Sequence, residues 1–152
     1  EDLHAPRDMP PWPNSRMDGY ALRSTDTRSA SAEIPAKLTV AGRVAAGAVA
    51  ERPLRAGEAF RIFTGAPLPE GADCVIPQED ATADGSTVQI SRLVSVGDFV
   101  RPRGEDMREG ETVLSRGRAL GSAELGLLAT IGRAQVNVVK RPRVGILSTG
   151  DS

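Results

Sequence analysis

Short polar side chains are concentrated near the start of the chain, directly after a stiff, proline-rich stretch. Asn14, Ser15 and Asp18 lie close together in sequence, and Gly19 follows them. Side chains and backbone N–H groups in this arrangement can bind a phosphate or another polar ligand, and a glycine permits close backbone approach. The same residues also fit a rigid linker that ends in an Asp-Gly turn, so both interpretations stay open.

A second candidate group follows a predicted strand in the middle of the chain. Thr64 and Gly65 stand where the alternating segment 59–63 ends, and functional side chains often lie on such connections. No Gly-Lys-Ser or Gly-Lys-Thr sequence follows, which excludes a phosphate-binding loop of the P-loop type. A long hairpin connection over 64–73 is the alternative explanation of this segment.

A third group alternates acidic residues with arginines. Its members are Arg101, Arg103, Glu105, Asp106, Arg108, Glu109 and Glu111. Carboxylate oxygens at this density suit Mg²⁺, and guanidinium groups suit anionic ligands. The spacing matches no calcium-binding loop, and a solvated turn with internal ion pairs is the alternative.

The composition excludes several classes of function. Among 152 residues, Lys and Arg total 19 against 20 Asp and Glu, and this balance argues against a nucleic-acid-binding surface. The single cysteine, Cys74, excludes an internal disulfide and is predicted to be buried and unreactive; the single histidine, His4, excludes a histidine-rich metal site. No segment approaches the roughly 18 apolar residues that a membrane-spanning helix needs.

The elements that position these residues are predicted to be mostly short strands. Alternating or apolar runs at 37–44, 59–63, 74–76 and 87–91, with an Asp-Gly turn signal at 84–85, indicate a small β unit over about 37–115. A helix is predicted over 122–131, with Ser122 as N-cap and Gly132 as the C-terminal stop. A further strand is predicted over 134–140.

The last ten residues form an apolar run that stops at Gly150-Asp151. In α/β proteins such a run is typical of a buried parallel strand that enters a ligand-binding turn. We therefore expect a longer protein in which an α/β domain begins here. A final edge strand with a ragged tail is the alternative.

Four motifs in order resemble the MoeA-type molybdopterin molybdenumtransferases, the family that includes the gephyrin E domain. They are Pro-Pro-Trp-Pro-Asn-Ser-Arg-Met-Asp-Gly-Tyr-Ala at 10–21, Arg-Ile-Phe-Thr-Gly-Ala-Pro-Leu-Pro-Glu-Gly-Ala-Asp at 61–73, Arg-Gly-Glu-Asp at 103–106 and Val-Gly-Ile-Leu-Ser-Thr-Gly-Asp at 144–151. The resemblance covers nearly the whole chain.

The resemblance implies a mainly β fold with a small α+β helical segment, corresponding to family domains I and II. Residues 1–20 and 110–142 would form a discontinuous helical or linker segment, and 21–109 an inserted β domain. Residues 143–152 would be the first strand of an α/β molybdopterin-binding domain.

The resemblance also implies an activity in molybdenum cofactor biosynthesis. The family inserts molybdate into adenylated molybdopterin with Mg²⁺ and releases AMP, as a cytoplasmic homodimer acting after a molybdopterin adenylyltransferase. No nucleic-acid or membrane partner is expected. The alternative within the family is a non-catalytic scaffold or dimerisation module.

Residue roles follow from the matched motifs. Asp18, Thr64 and Asp106 would be catalytic and would line a cleft toward the partner subunit, with Asp18 and Asp106 as Mg²⁺ ligands. Four further residues would bind the substrate or cofactor: Asn14, Ser15, Gly65 and Asp151. The chain departs from the family where Ser152 occupies the position of an expected catalytic glutamate.

Overall fold

The computed structural model describes residues 1–150, which contain ten strands and one α-helix. The strands are β1 (Leu3–His4), β2 (Asn14–Ser15), β3 (Gly19–Leu22), β4 (Ala36–Val44), β5 (Glu58–Ile62), β6 (Cys74–Pro77), β7 (Ala81–Asp84), β8 (Thr87–Ile90), β9 (Val100–Arg101) and β10 (Thr112–Leu114). The helix is α1 (Ser122–Thr130), and two 3₁₀ turns cover Ser24–Thr27 and Gln78–Asp80. The predicted mainly β class with a short helix is confirmed.

Six strands form one mixed sheet in the order β6-β3-β5-β4-β8-β7. All neighbours are antiparallel except β4 and β5, which run parallel. The long strand β4 pairs with β8 through its first half and with β5 through its second half, and the register shifts between Val40 and Gly42. Such an irregularity bends a strand, which allows β4 to join both halves of the sheet.

Strands β3 and β6 are buried at every position because both faces of the sheet carry apolar clusters. One cluster contains Tyr20, Leu22, Leu38, Ala59, Cys74, Ile76, Val88, Ile90 and Val94. The other contains Ala21, Val44, Leu54, Phe60, Ile62, Ala66 and Val75. The predicted burial of Cys74 is confirmed, and this burial, together with neighbouring Asp73, raises the pKa of its thiol far above the ordinary value.

The contacts divide the chain into two compact units. One comprises residues 1–6 with residues from 110 onward and contains the β1–β10 pair and α1. The other comprises 7–109 and contains the six-stranded sheet and the β2–β9 pair. The structure thus groups 7–20 with the β-rich unit, whereas the assignment of 1–20 and 110–142 to one family segment stays a prediction.

The N-cap of helix α1 lies one residue earlier than predicted. The N-cap is Gly121 and not Ser122, because the Glu124 carboxylate accepts a hydrogen bond from the Gly121 N–H at 3.0 Å. This bond satisfies an N–H group that the helix itself cannot pair. The predicted stop at Gly132 is confirmed by its φ of +73°, a conformation that favours glycine.

Two predicted strands near the C-terminus are not formed. Residues 134–140 and 143–150 contain no strand, and the side chains of Val144, Ile146 and Leu147 are exposed. The physical reason is that a strand needs a hydrogen-bonded neighbour, and none pairs with these segments within residues 1–150. The remaining predicted positions, Asp151 and Ser152, lie outside the described residues. No helix in the described part of the chain is long and apolar enough to cross a membrane.

Candidate functional site

A short antiparallel ribbon, made of β2 and β9, brings the three candidate segments together. Asn14 pairs with Arg101 and Ser15 with Val100. The turn after β5 is fixed to the same ribbon, since the Gly65 N–H donates to the Ser15 carbonyl at 2.8 Å and the Ser15 N–H donates to the Ala66 carbonyl at 2.9 Å. The first and second motifs therefore meet through backbone hydrogen bonds.

Asp18 and Thr64 form the most direct contact between candidate catalytic residues, and we call them the Asp18–Thr64 pair. Asp18 Oδ1 accepts a hydrogen bond from the Thr64 N–H and another from Thr64 Oγ1, both at 2.8 Å. These two bonds, aided by the positive charge of Arg61, hold the pKa of Asp18 below its ordinary value despite some desolvation. Asp18 is therefore a carboxylate at neutral pH.

The backbone around Asp18 is held between two strands. The Asp18 carbonyl accepts a hydrogen bond from the Gln78 N–H at 3.0 Å, and Arg61 Nη1 donates to the Gly19 carbonyl at 3.0 Å. Gly19 is required here because a Cβ atom would stand 1.9 Å from the carbonyl oxygen of Ile76. These constraints fix the direction in which the Asp18 side chain leaves the sheet.

Asp106 lies at the end of a separate network of charges. Its two carboxylate oxygens accept hydrogen bonds from Arg101 Nη2, and Arg101 Nε donates to Glu105 at 2.9 Å. Glu105 also pairs with Arg16. The structure therefore joins Asp106 to Arg101, the strand partner of Asn14, and places no hydrogen bond between Asp106 and the Asp18–Thr64 pair.

The other predicted binding residues differ in exposure. Asn14 is half-buried, whereas Ser15 is only 2% exposed and its hydroxyl donates to the Met17 carbonyl at 2.6 Å. Gly65 is exposed with a φ of +80°, but its N–H already bonds Ser15. The predicted ligand contacts of these residues stay predictions, and the burial of Ser15 argues for a structural role in the ribbon.

The acidic residues present fit a magnesium ion only in part. No group of three or more His, Cys, Asp or Glu residues within 1–150 is arranged to hold a metal. Mg²⁺ commonly takes one or two protein carboxylates and completes its shell with water and substrate phosphates. Asp18 fits that pattern because its Oδ2 has no hydrogen-bond partner among the described residues. Asp106 is instead already paired with Arg101.

Two arginines contribute to the site beyond the residues predicted from the motifs. Arg61 stands beside Asp18, and Arg101 neutralises Asp106. Both arginines lie within or beside the quoted motifs, but the register between strands cannot be read from local sequence patterns. The strand register places the two arginines at the site, because it pairs Arg101 with Asn14 and Arg61 with Tyr20.

The fold and site define a β-rich chain with a carboxylate–threonine pair at a strand end and an arginine-bound aspartate on an adjoining ribbon. Comparison with known families gives the class to which this arrangement belongs. Residues 1–132 match the MoeA N-terminal region (domain I and II), and the chain belongs to this family.

Relatives with known names agree with this assignment. The chain is 41% identical to a molybdopterin molybdenumtransferase of Synechococcus elongatus over 99% of its own length, and 40% identical to that of Bacillus subtilis, also over 99%. It spans 38% and 36% of those two relatives. A crystal structure of the molybdopterin biosynthesis moeA protein from Pyrococcus horikoshii OT3 superposes with a TM-score of 0.84 at 36% identity, over 87% of this chain and 35% of that one.

Proposed function

We propose that this chain acts in molybdenum cofactor biosynthesis as part of a molybdopterin molybdenumtransferase. The substrates would be adenylated molybdopterin and molybdate, and AMP would be released when the metal enters the dithiolene. Family membership over 1–132 and the names of the relatives support this proposal. The observation that carries it for the residues in hand is the Asp18–Thr64 pair.

The Asp18–Thr64 pair has the properties of a group that handles a phosphate-bearing substrate. Both Thr64 donors engage Oδ1, which keeps Asp18 ionised and leaves Oδ2 to bind a cation or a water molecule. Mg²⁺, when bound, would neutralise the charge that develops on the phosphate groups. Thr64 is exposed, so its hydroxyl can also turn toward a substrate oxygen.

Asp106 would act through its partner Arg101. In the arrangement described, Arg101 pairs with both Asp106 and Glu105, and Arg16 also pairs with Glu105. Two arginines therefore balance two carboxylates, and this network presents little net charge. A substrate phosphate that draws Arg101 away would release the Asp106 carboxylate. We assign Asp106 to substrate binding and to Mg²⁺ on this basis.

The proposed assembly is a cytoplasmic homodimer. Asp18, Thr64 and Asp106 would line a cleft that is completed by the pterin-binding domain of the other subunit. A molybdopterin adenylyltransferase would supply the adenylated substrate. A scaffold or dimerisation module without chemistry would have no need of these three polar side chains.

Substitution in the natural full-length protein tests the proposal. Asp18→Asn removes the charge, and Thr64→Val removes the hydroxyl while the backbone N–H remains. We expect each to lower kcat for metal insertion by about 100-fold, as is usual for a group that stabilises developing charge. Asp84→Asn, at the exposed last residue of β7, is the control and should retain full turnover.

Two outcomes would contradict the proposal. Unchanged turnover in both Asp18→Asn and Thr64→Val would remove the pair from the mechanism. A wild-type protein that forms its dimer but inserts no metal into purified substrate would favour the scaffold. Thermal unfolding of each variant, measured beside turnover, separates lost chemistry from lost structure.

A further inference from the structure

Four side chains form a lateral row on one face of the sheet, which we call the arginine–aromatic row: Tyr20, Arg61, Arg43 and Phe63. Tyr20 of β3 is opposite Arg61 of β5, which is in turn opposite Arg43 of β4. Directly opposed residues point to the same face of a sheet. Phe63 follows two positions after Arg61 and lies between the guanidinium groups, 4.8 Å from Arg43 Cζ and 5.0 Å from Arg61 Cζ to its ring centroid.

The row places two like charges side by side, and the carboxylate beside Arg61, that of Asp18, forms no ion pair with either arginine. Directly opposed like charges destabilise a sheet. Among residues 1–150 the ion pairs involve Arg16, Arg52, Arg92, Arg101, Arg103 and Arg118, and neither Arg43 nor Arg61. Contact with the faces of Phe63 and Tyr20 stabilises the two cations only in part. A bound anion would supply the missing negative charge.

The two arginines differ in the donors that they leave available. Arg61 is fixed, since Nη1 bonds the Gly19 carbonyl at 3.0 Å, Nη2 bonds Gln78, and Cζ lies 5.2 Å from the Tyr20 ring centroid. Arg43 is exposed and donates no hydrogen bond within the described part of the chain, so its donor fork is available to a ligand. Arg61 therefore provides a positive charge at a fixed position, and Arg43 provides the N–H groups that can donate hydrogen bonds to a ligand.

The row ends at the candidate site. Phe63 is followed directly by Thr64, and Tyr20 lies two residues after Asp18. Arg61 contacts the backbone of Gly19 and contributes positive potential at Asp18. An anion on Arg43 would thus be held beside the Asp18–Thr64 pair.

We propose that Arg43, supported by Phe63 and Arg61, binds a phosphate-ester group of the substrate beside the Asp18–Thr64 pair. This inference rests on the proposed function, which supplies a substrate that carries phosphate esters. A guanidinium group binds a phosphate through two parallel hydrogen bonds, and the neighbouring Arg61 strengthens the attraction. Arg43 is a binding residue and takes no part in bond making.

Titration of the 152-residue chain tests the inference. AMP and glycerol 3-phosphate serve as probes, and side-chain Nε–Hε and backbone amide NMR signals report binding. We expect saturable shifts at Arg43, Arg61 and Phe63 with both esters. Arg43→Gln should weaken AMP binding about tenfold, since it removes a charged bidentate contact, and Arg43→Lys should restore part of the affinity. Arg28→Gln, at an exposed arginine on a different element, is the matched control.

Several results would overturn the inference. The first is an equal loss of AMP affinity in Arg28→Gln and Arg43→Gln, which would indicate non-specific attraction. The second is a set of NMR shifts confined to residues other than Arg43, Arg61 and Phe63. The third is tighter binding of molybdate than of either ester. The outcome is separate from that of the proposed function. If Arg43→Gln leaves AMP affinity unchanged and Asp18→Asn has low turnover, only this inference is removed. If Arg43→Gln weakens AMP binding and Asp18→Asn has normal turnover, only the catalytic assignment is removed.

Discussion

At the scale of single residues, an aspartate accepts hydrogen bonds from both the N–H and the hydroxyl of one Ser or Thr at two places with different surroundings. Asp18 accepts bonds from the N–H and hydroxyl of Thr64, and Asp73 accepts bonds from the N–H and hydroxyl of Ser24 at 2.7 and 2.8 Å. Ser24 is buried at the start of a 3₁₀ turn, whereas Thr64 is exposed at the end of a strand. Such a pairing alone is therefore structural. The candidate site differs in its exposure, in its position beside Arg61 and in the second oxygen of Asp18, because the bonds from Ser24 occupy both oxygens of Asp73.

Asp73 provides a test of the structural version of this pattern. Burial opposes its ionisation most strongly, but the bonds from Ser24, together with those from Cys74 and from its own backbone, outweigh burial and hold the pKa of Asp73 below its ordinary value of 3.8. A lowered pKa in the folded state stabilises the fold at pH values above 3.8, and this stabilisation is lost as the pH falls through the lower, folded-state value. Asp73→Asn should cost about 1 kcal/mol at pH 7, since partial exposure weakens charged hydrogen bonds.

The measurement is urea unfolding of wild type and Asp73→Asn from pH 7 down to pH 2.5. The difference in the free energy of unfolding should stay constant while the pH is above 3.8 and should narrow below it. Asp84→Asn is the control and should leave stability unchanged. A difference that is independent of pH over the whole range would mean that the Asp73 charge contributes nothing to folding.

At the scale of elements, strand β3 is the structural basis of the site. It lies between β5 and β6, is buried at all four positions, and begins directly after Asp18. Its first residue, Gly19, has backbone atoms of β6 where a side chain would begin. The close approach of these two strands is what fixes Asp18 next to Thr64.

Gly19→Ala should therefore be strongly destabilising. The new Cβ would meet the Ile76 carbonyl oxygen at 1.9 Å, and backbone cannot move away cheaply, so we expect a loss of more than about 3 kcal/mol. Gly42→Ala is the matched comparison in the same unit, because its Cβ would meet the Phe60 ring at 2.6 Å and a side chain can shift. Its cost should be about 1 to 2 kcal/mol, the usual range for overpacking.

Thermal and urea unfolding of the two variants give the comparison. A Gly19→Ala protein as stable as Gly42→Ala would show that β3 and β6 can separate without loss. The Gly19→Ala protein could be too unstable to purify. In that case, amide hydrogen exchange of β3 and β6 in the Gly42→Ala protein still shows whether this strand pair is the most stable part of the sheet.

The elements also show where sequence reasoning succeeds. Strands β4, β5 and β8 were predictable because their alternation of apolar residues matches a two-residue period, and β6 was predictable as a short apolar run. The strands β2 and β9 have two residues each and carry no such period, so the ribbon that assembles the site was not predictable. The segment 134–140 alternates equally well but has no strand partner among residues 1–150, and alternation without a neighbour does not make a strand.

At the scale of the whole molecule, the motifs identify the residues and the topology brings them together. Asp18 and Thr64 were both named from their motifs, but their hydrogen bonds join positions separated by 46 residues. Such contacts depend on the order of strands in the sheet, which local patterns do not contain. The pairing of Arg43 with Arg61 through a parallel register is of the same kind.

The larger unit, 7–109, contains every element needed for the candidate site. Both apolar clusters and all six strands of the sheet lie within it. Its ends are joined, because the Asp8 carboxylate accepts a hydrogen bond from the Glu109 N–H at 2.8 Å and pairs with Arg103. These bonds hold the pKa of Asp8 below its ordinary value. A unit with its own core and adjacent ends has the features of an independently folding domain.

We therefore expect residues 7–109, expressed alone, to fold cooperatively and to keep the Asp18–Thr64 pair. The measurement is a single urea transition seen by circular dichroism, with amide NMR signals of Thr64 and Gly65 that match those of the whole chain. Asp8→Ala in this piece should lower its stability, since it separates the two ends, whereas Asp84→Asn should not. A piece that shows strand content but neither a cooperative transition nor dispersed amide signals would contradict the expectation. That result would mean that the sheet depends on residues 1–6 or 110–150 for its packing.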